Sequence, residues 1–140
     1  MKPQIFALLT AAAWGIGGFF EKKGLHQGNL SPEIGITIRT FIALLILSFV
    51  SFKFWKDIPK TDGKALLMIV IGGGVVAGAL GMLFFYKAIK GAPLNQVMPI
   101  AFTSPLFGIL IASFYGGEPL SVKTIIGTIL TICGIIVLTI

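Results

Sequence analysis

Charge is scarce in this 140-residue chain. Asp, Glu, Lys and Arg together make up 11% of it, against about a quarter in soluble domains. With 56% hydrophobic residues and a mean hydropathy of +0.99, that scarcity excludes a soluble globular domain and marks a membrane protein. Cysteine is nearly missing. Cys133, the single one, has no partner for an internal disulfide, and no cysteine cluster exists that could hold a metal. Histidine occurs once, as His26 in an expected loop. No glycine-rich loop has phosphate-binding spacing. The triple glycine from Gly72 to Gly74 lies inside an apolar run and reads as a helix-packing feature. These absences point away from catalysis, and neither metal nor cofactor is expected.

What the chain does contain is apolar length. Five uninterrupted stretches, 3–20, 32–54, 65–88, 94–115 and 122–140, each approach the roughly 20 residues a helix needs to cross about 30 Å of hydrocarbon. The expected fold class is an all-α integral membrane protein of five transmembrane helices, a single module over 1–140 with no room for a second, soluble domain. An odd number of spans puts the two ends on opposite sides. The basic start and apolar core of the first span are similar to a signal peptide, but its length, its lack of a cleavage site and the four spans that follow predict that it is retained.

The breaks between spans carry helix signals. Pro3 sits at a tolerated helix start, and Glu21, Lys22 and Lys23 end the first apolar run. Ser31, Pro32 and Glu33 combine a capping serine, a proline at the first helical position and an acid in the first turn. The segment 53–64 is the most polar, with Trp55 placed for the membrane interface. Gly74 and Gly78 form a small-xxx-small pair in the third span. The break from Lys90 to Pro93 is so short that spans three and four are expected to be adjacent and antiparallel. Pro99 and Pro105 each delete a backbone hydrogen bond and predict a bent or locally unwound fourth span. Ser121 is the expected cap of the fifth.

The net charge of +6 comes from lysines in or beside the breaks, which suits lipid headgroups rather than nucleic acid. With the amino terminus inside, Lys2, Lys53, Lys56, Lys60, Lys64 and Lys123 face the cytoplasm and Lys22, Lys23, Lys87 and Lys90 the opposite side. Six against four is a weak orientation signal.

From Phe84 to the end the chain resembles the EamA-type module of the drug/metabolite transporter superfamily. The match is one of order: an aromatic-rich third span closing at Ala88 to Ala92, a proline-containing fourth span (Pro99, Pro105), a turn from Gly117 through Glu118 to Leu120, and a last span bearing Gly127 and Gly134. Trp14-Gly15 in the first span and Arg39 early in the second extend it over essentially the whole chain. The resemblance implies half of an inverted-repeat, ten-helix transporter architecture, since relatives commonly fuse two such modules. One copy of five spans, joined to another, inverts automatically. A homodimer, antiparallel if both orientations occur, would rebuild that architecture from one module.

The candidate residues follow from their places in the spans. Arg39, about five residues into its span and so roughly 7.5 Å deep, is a candidate for binding an anionic or zwitterionic substrate or for pairing with Glu21. Glu21 invites comparison with small multidrug resistance proteins, which use a carboxylate in the first span, but here it stands at the edge beside lysines and reads as a cap or ion-pair member. Trp14 and Tyr86 couple a ring to a polar handle and are candidates for lining a substrate cavity. Thr103 and Ser104, where the prolines open the fourth span, are candidates for the same site, the alternative being hydroxyls bonded to their own helix. Lys87 and Glu118 are candidates for ion pairing or coupling, Glu118 also for fixing its turn. Gly127, Thr131 and Gly134 form a small-residue stripe suited to a dimer contact.

The function implied is transport of a small metabolite by alternating access, with the substrate between the first, third and fourth spans of a dimer in the plasma or inner membrane of a prokaryote. Flipping of a lipid-linked substrate and a non-transporting subunit in a membrane assembly are the alternatives. The expected partners are a small-molecule or lipid-linked substrate, membrane lipids and a second chain, either identical or a five-span relative of opposite lysine bias.

Overall fold

The computed structural model describes residues 2–117 and 119–139. The chain is 88% helix, with no strand among the described residues. The helices are α1 Pro3–Gln27, α2 Pro32–Ser51, α3 Gly63–Met68, α4 Met82–Gly91, α5 Leu94–Ala101, α6 Ser104–Phe114 and α7 Val122–Thr139. A 3₁₀ segment, Phe52–Lys60, continues α2, and a π-helical segment, Ile69–Gly81, joins α3 to α4. Together they make five helices long and apolar enough to cross a membrane: Pro3–Gln27, Pro32–Lys60, Gly63–Gly91, Leu94–Phe114 and Val122–Thr139. The protein is an all-α integral membrane protein. Its chain forms two compact units, Met1–Gly91 and Ala92–Ile140.

The expected caps form. Pro3 opens α1, Ser31 Oγ accepts the Ile34 amide at 3.3 Å, and Ser121 Oγ accepts the Thr124 amide at 3.1 Å. Two helices run further than the apolar pattern suggests. α1 continues through Glu21, Lys22 and Lys23 to Gln27, because these are good helix formers and Glu21 and Lys22 find partners on neighbouring helices. It stops at Asn29, whose φ is +45°. The Asn29 amide then bonds His26 O at 3.2 Å and the Leu30 amide bonds Leu25 O at 3.0 Å, a Schellman ending.

The polar segment after the second apolar run is likewise helical. Its 3₁₀ winding stacks residues three apart, which brings Phe52 and Trp55 to 6.1 Å between ring centroids and Lys60 to 3.1 Å from Asp57. The Trp55 indole also donates to Ser51 Oγ at 2.9 Å.

In the first unit α2 packs on α4, and both contact α1. The buried apolar side chains there are Leu25, Tyr86 and Ile89, all near the ends of α1 and α4, so the packed region sits where these helices meet the start of α2. Gly35 permits the approach. A Cβ on it would stand 2.5 Å from Leu25 Cδ2 and 2.9 Å from Tyr86 Cε1. In the π-helical segment, Gly78 is required by the wide winding, since its Cβ would meet Gly73 O at 2.8 Å. Gly72, Gly73 and Gly74 have no atom of the first unit within 4 Å of their would-be Cβ positions, so the packing expected of the triple glycine does not occur within that unit.

In the second unit the fourth span breaks as Pro99 and Pro105 predict. α5 ends at Ala101, Phe102 and Thr103 form a turn, and Pro105 lies in the first turn of α6. α5 packs against α7.

Replacing Gly35 with Ala is expected to destabilise the first unit by about 1–3 kcal/mol, the usual cost of overpacking. Thermal unfolding in detergent micelles reads this as a lowered midpoint. An unchanged midpoint contradicts the close three-helix approach.

Candidate functional site

Three side chains from three helices meet inside the first unit. Glu21 of α1 and Arg39 of α2 form an ion pair, Oε1 to Nε 2.8 Å. Tyr86 of α4, 2% exposed, lies beside that pair, near enough for both charges to act on its hydroxyl. Glu21 stands six residues before the end of α1, Arg39 seven after the start of α2 and Tyr86 five before the end of α4. At 1.5 Å per residue all three lie roughly 8–10 Å below the helix ends. They form one polar level within the membrane-spanning helices.

The pairing expected between Glu21 and Arg39 is therefore present, with one correction. Glu21 is not at the exit of its helix but well inside it, because α1 runs on to Gln27. A lone charge at such depth is costly, and pairing is the usual remedy. The pair is not sealed: the side chains are 38% exposed for Arg39 and 19% for Glu21. A guanidinium has five donors, so a partly open Arg39 can accept a further anionic group without leaving Glu21.

A second tier of contacts lies nearer the helix ends. Lys22 Nζ of α1 donates to Ile89 O of α4 at 2.6 Å, and Lys90 Nζ of α4 donates to Leu25 O of α1 at 3.0 Å. Each helix thus receives a cation at its negative, carbonyl-bearing end from the other. Hydrogen bonds to charged groups contribute about 1.5–3 kcal/mol each. Lys87 of α4 pairs with Glu33 in the first turn of α2, Nζ to Oε1 3.5 Å, where an acid also complements the helix dipole. Gly35, Lys22, Lys90 and Glu33 were not among the sequence candidates. Basic residues in the last turn of a helix are a recognised end signal, and Lys90 carries it.

The remaining candidates are placed as follows. Trp14, two turns before Glu21 on the same helix face, is 54% exposed. Thr103 and Ser104 belong to the second unit. The Thr103 hydroxyl donates to Ile100 O at 2.8 Å, the intrahelical use weighed as the alternative, and Ser104 is the exposed first residue of α6. Gly127 and Thr131 line a groove with Phe102, Leu106, Ile109 and Lys123, of about 260 Å³. The Thr131 hydroxyl is turned back to Gly127 O at 2.8 Å, and the would-be Cβ atoms of Gly127 and Gly134 meet nothing within 4 Å. Glu118 lies outside the described residues. Among the described residues no group of three or more His, Cys, Asp or Glu could hold a metal ion.

Across residues 1–140 the sequence matches the model of the EamA-like transporter family. The chain belongs to that family. Among its relatives is an uncharacterized protein of Methanocaldococcus jannaschii, 30% identical over 97% of this chain and 95% of that protein. A protein of Escherichia coli named "Probable amino-acid metabolite efflux pump" is 28% identical over 98% of this chain and 42% of its own length. An uncharacterized transporter of Archaeoglobus fulgidus is 26% identical over 99% of this chain and 48% of its own length. The chain therefore spans nearly all of the first relative and under half of the other two. No solved structure matches it.

Substituting Glu21→Gln, Arg39→Met and both together forms a cycle in which the two side chains are expected to show a coupling of about 0.5–3 kcal/mol, as for residues in direct contact. Unfolding in micelles measures it. Strict additivity means the pair contributes nothing to the fold.

Proposed function

We propose that this chain is one module of a secondary transporter that moves a small metabolite across a prokaryotic plasma membrane by alternating access, working as a dimer. The Glu21–Arg39 pair carries this reading. Ionisable residues inside a membrane are expensive and mark substrate or ion pathways by default, and this pair is partly open rather than enclosed.

The lengths of the relatives support a dimer. Two of them are about twice as long as the region they share with this chain, and five spans repeated once supply the inverted second half that such architectures use. A relative of nearly the same length is consistent with modules that pair after synthesis. The name of the Escherichia coli relative directs the substrate reading toward amino-acid metabolites. A zwitterion suits the site chemically, its carboxylate meeting Arg39 and its ammonium Glu21, with the Tyr86 hydroxyl beside them. Arg39 is the specificity element, because a planar guanidinium holds a carboxylate by two parallel bonds.

The test is counterflow of labelled amino acids in liposomes holding the purified protein. Arg39→Gln is expected to lower the rate about tenfold or more, equivalent to at least ~1.4 kcal/mol, while the protein elutes as the wild type does. An unchanged rate removes Arg39 from the site. Absence of flux for amino acids, other metabolites and lipid-linked substrates from a folded dimer removes the transport reading.

A further inference from the structure

The two lysine bonds between α1 and α4 occupy a telling position. Leu25 is one turn beyond Glu21 on α1, and Lys90 is one turn beyond Tyr86 on α4. The crossed bonds therefore lie about 6 Å nearer the membrane surface than the Glu21–Arg39–Tyr86 level. Packed beside them are Leu25, 2% exposed, and Ile89, 0% exposed. Charge-bonded backbone and two buried apolar side chains together hold the helix ends beyond the polar level.

We propose that this crossed lysine clasp is a gate, closed in this structure, which opens by releasing the end of α1 from the end of α4. The proposal rests on the transport reading above. Three observations carry it. First, both bonds join the same two helices, while α2 is held separately through Glu21–Arg39 and Glu33–Lys87. Their release lets the ends of α1 and α4 part while α2 stays joined to each of them.

Second, the donors are ammonium groups on flexible stems near the helix ends, where water and lipid phosphates offer replacement partners. Third, the acceptors tolerate release. Leu25 O also accepts the Leu30 amide at 3.0 Å, and Ile89 O is among the last carbonyls of α4, which have no partner within their helix and turn readily to water. The clasp is thus an interaction that opens without leaving a stranded polar group.

The experiment uses the full chain in vesicles, with Cys133→Ala removing the native thiol and Ile89→Cys placing one behind the clasp. Reaction with a neutral, membrane-impermeant polyethylene glycol maleimide is normalised to a Gln27→Cys protein, whose thiol is exposed at the same helix end. Ile89→Cys is expected to react slowly, and at least tenfold faster when Lys22→Met and Lys90→Met are added to a protein that keeps its helical signal. Equal rates in a folded protein show a static strut and overturn the gate.

Should the lysine variants fail to fold, the lysine-intact protein decides. Normalised labelling is expected to be faster in phosphatidylglycerol vesicles, whose phosphates compete for the ammonium groups, than in phosphatidylcholine vesicles, and equal rates overturn the proposal. Labelling needs no substrate. A clasp that opens in a protein without flux sinks the transport reading alone, and flux with constant protection of Ile89→Cys sinks the gate alone.

Discussion

The Glu21–Arg39 ion pair is the constraint around which the first unit is organised. Two opposite charges on different helices, set about two turns below the helix ends, cannot be left apart in hydrocarbon. Their contact fixes how α1 lies against α2. The buried Tyr86 of α4 packs at the same level, and Gly35 supplies the space in which three helices come that close. The lysine bonds and the Glu33–Lys87 pair finish the same end of the unit by meeting helix-end carbonyls and the start of α2. Charge, close packing and helix termination all act within one short stretch of the spans.

Elsewhere each unit, taken by itself, is almost all surface. Among the described residues the buried large apolar side chains are Leu25, Tyr86 and Ile89 in the first unit and Val97 in the second, and within the first unit nothing packs against the three successive glycines of the third span. In water this would be an unstable object. In a bilayer, acyl chains cover apolar side chains at no cost, and helix association relies on close backbone approach instead. Such a surface is consistent with a module that is half of a larger assembly, the reading that the relatives of double length also favour.

Much of this was legible in the sequence, and for physical reasons. Membrane spans depend on length and hydropathy alone, so five of them can be read directly, and the caps at Ser31 and Ser121 follow from local hydrogen bonding. The break at Phe102 and Thr103 follows from what proline removes. Helix ends were harder. Polarity stops the apolar run at Glu21, but helicity depends on backbone propensity and on partners elsewhere, and α1 continues for nearly two turns. The Glu21–Arg39 pair was within reach because both charges sit near the same face of the membrane. The lysine clasp was not, since its acceptors are backbone carbonyls, which every residue carries and no pattern distinguishes. Gly35 was passed over for the same reason among eighteen glycines: only the side chains opposite it make it necessary.

Arg39 is the only arginine in the chain, which makes the central claim open to a direct measurement. In protein labelled with ¹⁵N-arginine and ¹³C-carboxyl glutamate and reconstituted in lipid bilayers, solid-state nitrogen–carbon recoupling reports whether that one guanidinium touches a glutamate carboxylate. A dipolar contact to Arg39 Nε that disappears in Glu21→Gln is the predicted result. No contact, or one that survives Glu21→Gln, contradicts the account.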